Sequence, residues 1–162
     1  MHTIRDARPD ETGLLGLLWH DAWHESHASC VPAELTRLRS LESFQSRIAR
    51  MLADTRVACA GVDPVGLRTL KDDELHQFGV RADARGSGAA AALLADGETG
   101  LRRAGVRTAW LACAVGNERA AAFYRKHGWH VARTEIEQVE TGAGESHFPL
   151  RVWRFEKRLD EH

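Results

Sequence analysis

The chain reads as an α/β protein, a mixed central sheet with flanking helices, and three observations carry that reading. Short apolar runs of strand type are interspersed with segments whose apolar residues recur at helical spacing. Across residues 75–127 the order is strand, helix, strand, helix, which requires a parallel pair joined by a crossover. With 162 residues, 43% hydrophobic and 28% charged, the composition suits one domain over residues 1–162.

The elements follow in order. Residues 3–5 form a short edge strand, and Asp10 is placed to cap a helix carrying Leu14, Leu17 and Leu18 on one face, with Trp19, Trp23 and several histidines at its far end. After the break at Pro32, Leu41, Phe44, Ile48 and Leu52 define a second helix with Ser40 as its cap. Residues 56–60 and 65–70 pair as a hairpin through Gly61, Val62, Asp63 and Pro64. Residues 75–80 supply the next strand. Ala90, Leu94, Gly97 and Leu101 recur at intervals of four, three and four along the helix that follows, and Gly105 ends it. A strongly apolar strand spans 106–115, and Asn117 caps a short helix holding Ala121 and Tyr124 that Gly128 stops. Residues 129–137 and 150–157 are two late strands, with an exposed loop at residues 141–144 between them.

Charge and composition narrow the function classes. The 22 basic and 23 acidic residues nearly cancel, so no extended field attracts nucleic acid or an anionic membrane, and any phosphate site is local. No early apolar run resembles a signal peptide and no segment has the length of a membrane span, so the expected compartment is the cytoplasm. Cys30, Cys59 and Cys113 lack paired metal-ligand spacing and fit reduced core thiols, any one of which can be reactive.

Two motifs carry the chemistry. Where the strand ending at Val80 gives way to a helix, Arg85, Gly86, Ser87, Gly88, Ala89 and Ala90 open the helix with small residues, an arrangement that aims backbone N–H groups and the helix's positive end at one spot. It lacks the lysine and hydroxyl of a nucleotide P-loop and the spacing of a dinucleotide fingerprint. Compact turns also use glycine for steric reasons alone. Further along, Leu111 and Ala112 lead through Asn117, Ala120, Phe123 and Tyr124 to Gly128 and Trp129. Arg85, Gly88 and Ala90 resemble the Arg/Gln-x-x-Gly-x-Gly/Ala pyrophosphate motif of the GCN5-related N-acetyltransferase family. The later stretch is similar to that family's Asn-x-x-Ala-x-x-Phe-Tyr-x-x-x-Gly-Phe/Trp. The resemblance covers residues 75–129 well and the first helices hardly at all.

The resemblance implies an acyl-coenzyme A N-acyltransferase-like fold whose fourth and fifth strands splay apart, with acetyl-coenzyme A as acetyl donor and a primary amine, on a small molecule or a peptide, as acceptor. It implies direct attack in a ternary complex. Residues 85–90 would hold the pyrophosphate, aided by the Arg85 side chain, and Phe78, Gly79 and Val80 would line the acyl end, with the N–H of Val80 or of Gly79 on the thioester carbonyl. Asn117 would contact the cofactor arm as well as cap its helix, and Tyr124 would protonate the departing thiolate. As base, Glu74 or His76 is placed by strand alternation on one face, opposite Gln77 and Gly79; a solvated acid and an ordinary hydrogen-bonded histidine are their other roles. A non-catalytic acyl-coenzyme A sensor or structural module would keep the cradle without turnover.

Three further readings stand beside these. His20 and His24, four apart with Asp21 between, loosely imitate a zinc helix but lack a third ligand, so no metal is expected and this helix end suits packing or a substrate pocket. Asp72, Asp73 and Glu74 form an acidic cluster before the central strand, able to draw a cationic amine or merely to solvate a turn. Val152, Trp153 and Phe155, with Trp19 and Trp23, offer apolar material for a homodimer contact or for completing the core.

Overall fold

A computed structural model describes residues 2–142 and 146–160. It contains β1 (His2–Asp6), α1 (Thr12–His27), α2 (Ala33–Leu38), α3 (Leu41–Arg50), β2 (Thr55–Ala60), β3 (Asp63–Lys71), β4 (Glu74–Val80), α4 (Ala89–Arg103), β5 (Thr108–Ala114), α5 (Glu118–Lys126), β6 (His130–Glu140) and β7 (His147–Arg158). The strands form one sheet in the order β1-β2-β3-β4-β5-β7-β6, antiparallel throughout except where β4 and β5 run parallel. The expected crossover pair is therefore at the centre, joined by α4. The α/β fold class holds, and β4 and β5 do splay: they share a single paired position, Glu74 opposite Trp110, and diverge beyond it.

Helices cover both faces. Leu15, Leu18, Trp19 and Trp23 of α1 with Phe44 and Ile48 of α3 bury one face of the sheet, while Leu94 and Leu101 of α4 with Ala121 and Tyr124 of α5 bury the other. On α1 the buried stripe runs 15, 18, 19, 22 and 23, so the expected face is rotated: Leu14 and Leu17 are 52% and 43% exposed. The two tryptophans win because they bury more apolar area than the leucines they displace. Asp10 falls in a short 3-10 turn rather than at the cap, whereas Ser40 caps α3 as expected, its side chain accepting from the Ser43 N–H at 3.2 Å. Helix α2 was not foreseen. Trp19, Trp23, Val152 and Phe155 are buried within the chain and Trp153 is partly so, which removes the apolar surface on which the homodimer expectation rested.

Three register shifts interrupt the sheet: one lies in β6 between Val131 and Arg133, and the other two, on either edge of β3, shape the centre. Pro64 lies inside β3 next to the first of these two, opposite Cys59, where a proline needs no ladder N–H; the hairpin turn is left to Gly61, at φ 62°, and Val62. The second inserts His76 between the pairs Leu70 opposite Leu75 and Thr69 opposite Gln77. It resets the alternation. Leu75 faces α4 with Phe78 and Val80, so Glu74 shares the α1 face with Gly79, contrary to the simple two-residue count. Of the expected loop at residues 141–144, Ala143 and Gly144 lie outside the described residues. No helix among the described residues is long and apolar enough to cross a membrane.

Candidate active site

The splay opens a cleft of about 650 Å³, within the usual range for a small-molecule site. Strand geometry dictates which backbone groups face it. The Arg81 N–H donates to Val65 O on β3, so the alternating amides of Val80 and Phe78 point the other way, into the gap. On β5 the Val115 N–H donates to Arg151 O on β7 and the Trp110 N–H to Asp73 O, so Ala112 and Ala114 turn their amide and carbonyl groups toward β4. This alternation selects Val80 over Gly79 as the inward donor. Ala112 and Ala114 were not singled out in the sequence, although the same count along residues 106–115 would have found them. Gly79 instead keeps the floor low: a Cβ there would sit 3.6 Å from Trp19 and 3.7 Å from Ala22.

At one end of the gap, the turn into α4 presents its amides on every second residue. Arg85 N–H donates to Ala82 O, Ser87 N–H to Ala84 O, and Ala89 N–H meets the Ser87 hydroxyl at 3.4 Å. The amides of Gly86, Gly88 and Ala90 have no acceptor among the described residues, and these three residues line the cleft with Arg85. Gly86 and Gly88 adopt φ of 76° and 92°, and the open space beyond them confirms that conformation rather than crowding requires glycine. Ser87 and Ala89 turn their side chains away, Ser87 onto Ala84 O and His2, Ala89 into the core beside Leu93. Of the six amides from Arg85 to Ala90, three are thus left without an acceptor among the described residues. At its rim Glu25 of α1 bridges Arg85 and Arg119, the latter at 3.2 Å, a contact across 60 residues that the sequence does not show.

On the α5 side Asn117 accepts from the Ala120 N–H at 3.4 Å, so it caps the helix, and it also lines the cleft. Its Nδ2 lies 3.5 Å from His27 Nε2, while His27 Nδ1 lies 3.0 Å from Trp23 O. A carbonyl can only accept, so Nδ1 carries the proton and Nε2 accepts from Asn117. Burial depresses this histidine to about 4, leaving it neutral at pH 7. Tyr124 packs among Phe78, Phe123, Trp129 and Phe155, and its hydroxyl has no hydrogen-bond partner among the described residues although the residue lines the cleft. Burial raises its pKa above the ordinary phenol value, so it stays protonated. The Cys113 thiol beside it is pushed up to about 12 by burial and is inert as a nucleophile.

The opposite end of the cleft is acidic. His76 sits between two carboxylates, Nδ1 3.1 Å from Glu74 Oε1 and Nε2 3.0 Å from Glu140 Oε1. Burial opposes its charge, but the two hydrogen bonds outweigh that and raise it to about 9, and the same contact holds Glu140 down to about 2. His76 is therefore an imidazolium at neutral pH, with no lone pair to offer a proton. Asp73 is spent on the Trp110 indole at 3.0 Å, and Asp72 occupies the turn at φ 54°, so only Glu74 of the expected acidic cluster reaches the cleft. His20 bonds Asp21 and His24 bonds Arg39 O at 2.6 Å; among the described residues no group of three or more His, Cys, Asp or Glu side chains is arranged to hold a metal.

A splayed parallel pair with an amide cradle at the head of the following helix defines an acyl-coenzyme A-dependent transferase fold. The chain belongs to the acetyltransferase (GNAT) family, whose model matches residues 14–129. It is similar in fold to the GCN5-related N-acetyltransferase (aminotransferase, class II) of Rhodopseudomonas palustris, at 19% identity and a TM-score of 0.75 over 96% of this chain and 94% of that one. The PaiA N-acetyltransferase of Thermoplasma acidophilum, solved with coenzyme A, matches at 15% identity and a TM-score of 0.74, covering 98% and 99%. YncA of Salmonella typhimurium, a putative acetyltransferase solved with acetyl-coenzyme A, matches at 17% identity and a TM-score of 0.71, covering 99% and 95%. No curated protein sequence matches the chain.

Proposed function

We propose that this chain is a one-domain N-acetyltransferase that moves an acetyl group from acetyl-coenzyme A to a primary amine by direct attack in a ternary complex. The observation that carries the reading is the conjunction of three unpartnered cradle amides with two unpaired strand edges leading to a buried phenol. The donor's pyrophosphate fits the amides of Gly86, Gly88 and Ala90 with Arg85 beside them, and its amide-bearing arm fits the edges of Phe78, Val80, Ala112 and Ala114 in place of the missing ladder. The Val80 N–H then polarises the thioester carbonyl. Tyr124 holds a proton for the leaving sulfur, and Asn117 orders the neutral His27 beside the arm. His76, fixed as a cation between Glu74 and Glu140, shapes the acceptor end. Amine-dependent release of free thiol from acetyl-coenzyme A, assayed over polyamines, amino acids, aminoglycosides and peptide amines, tests the reading. Thiol release with at least one amine supports it, whereas donor binding with no turnover on the whole panel replaces it with a non-catalytic acyl-coenzyme A-binding module.

A further inference from the structure

Three carboxylates, Glu74, Glu137 and Glu140, line the acceptor end of the cleft. Two are committed: Glu74 and Glu140 hold His76, and Glu140 also lies 3.6 Å from Arg50. Glu137, half-buried on β6, has no hydrogen bond or ion pair among the described residues. Arg154, the β7 cation whose field reaches Glu137, is engaged by Glu156 at 2.9 Å and Glu135 at 4.0 Å. A partly buried charge without a counter-ion is costly, and the group that would relieve it is a cation entering from the cleft.

We infer that Glu137 receives the acceptor's ammonium and takes its proton during transfer, and that the acceptor is a cationic amine carrying no carboxylate near the reacting nitrogen. This rests on the acetyltransferase reading above. The chemistry balances: the ammonium gives one proton to Glu137, which passes it to solvent; the neutral nitrogen bonds to the acetyl carbon as the carbon–sulfur bond breaks; a second nitrogen proton leaves through Glu137 to solvent; and the thiolate, held by a hydrogen bond from the Tyr124 hydroxyl, takes its proton from solvent. Glu137 suits the task better than its neighbours. His76 is already protonated, His27 is weakly basic with Nε2 given to Asn117, and the Glu74 charge is neutralised by His76. Burial, then the like charges of Glu74 and Glu135, raise Glu137 above the ordinary carboxylate range against the opposing pull of Arg154 and His76, which makes it a stronger base.

The test compares the wild type with Glu137→Gln, Glu137→Asp and Glu74→Gln, using butylamine, diaminobutane and aminobutanoate as probes, with acetyl-coenzyme A affinity measured for each. The wild type should prefer diaminobutane and butylamine to aminobutanoate. In Glu137→Gln, kcat/KM for diaminobutane should fall about a hundredfold or more, and the discrimination against aminobutanoate should narrow, with donor affinity unchanged. Glu137→Asp should recover part of the rate, and Glu74→Gln should lose less than Glu137→Gln. The inference is overturned by a Glu137→Gln rate close to wild type, by a larger loss in Glu74→Gln, or by equal use of aminobutanoate, whereas donor binding with no turnover of any amine counts against the underlying acetyltransferase reading. Failure of the wild type to bind acetyl-coenzyme A would sink the underlying acetyltransferase reading instead.

Discussion

Replacing Tyr124 by Phe removes one oxygen and leaves the ring among Phe78, Trp129 and Phe155. Because the hydroxyl bonds no described residue, its loss breaks no protein hydrogen bond and the thermal midpoint should hardly move. The catalytic cost follows from the acidities. Burial makes the phenol a weaker acid than usual, and a thiol such as that of coenzyme A titrates near 8.5, so full proton transfer to the thiolate runs uphill. What the phenol supplies is a hydrogen bond to a developing anion, worth about 1.5–3 kcal/mol, or about tenfold to a hundredfold in rate. Since that bond exists chiefly in the transition state, kcat should fall by this factor while acetyl-coenzyme A affinity holds. The assay is thiol release under conditions where chemistry limits turnover, paired with calorimetric binding of the donor. A folded Tyr124→Phe enzyme with unchanged kcat would refute the reasoning and leave Tyr124 as a packing residue.

Other perturbations follow from the same contacts. Glu25→Gln removes the carboxylate that occupies Arg85 and Arg119 at the cradle rim; the donor should bind about two- to fivefold tighter at low salt, with the gain fading at high salt, and calorimetry showing weaker binding would contradict this. Gly16→Ala places a Cβ 2.8 Å from Gln45 Cα and 3.0 Å from its N, forcing α1 and α3 apart; unfolding should cost about 1–3 kcal/mol less, and a raised thermal midpoint would show the interface to be loose. His76 binds its proton more tightly folded, at about 9, than unfolded, near 6.5, so its stabilisation is complete below pH 6.5 and is lost as pH rises through 9. Denaturant melts should show a decline on the order of 3 kcal/mol across that window, flattened in His76→Gln; a parallel decline in the variant would assign it to other groups.

Local signals were legible and long-range ones were not. The cradle and the Asn117 cap are written in adjacent residues, because φ values open to glycine and side-chain capping depend on a few neighbours. The splay came from the family resemblance, since nothing local in residues 75–80 or 106–115 states that two strands will part. The His76 bulge escaped because alternation counts assume an unbroken ladder, and it moved Glu74 to the face of Gly79. Glu137 escaped because its meaning lies in having no partner in a wall built with Glu74, a residue far away in sequence. The tryptophan stripe of α1 was present in the sequence, but Leu14 and Leu17 fit a helical face equally well until the sheet chose between them.

The central claim is that the gap between β4 and β5, with the cradle at its end, receives acetyl-coenzyme A. Calorimetric titration of the folded protein with acetyl-coenzyme A tests it most directly: the account predicts saturable binding at one site, weakened when Gly88 is replaced by Ala because φ 92° strains any side chain there. A folded sample that gives no binding would contradict it.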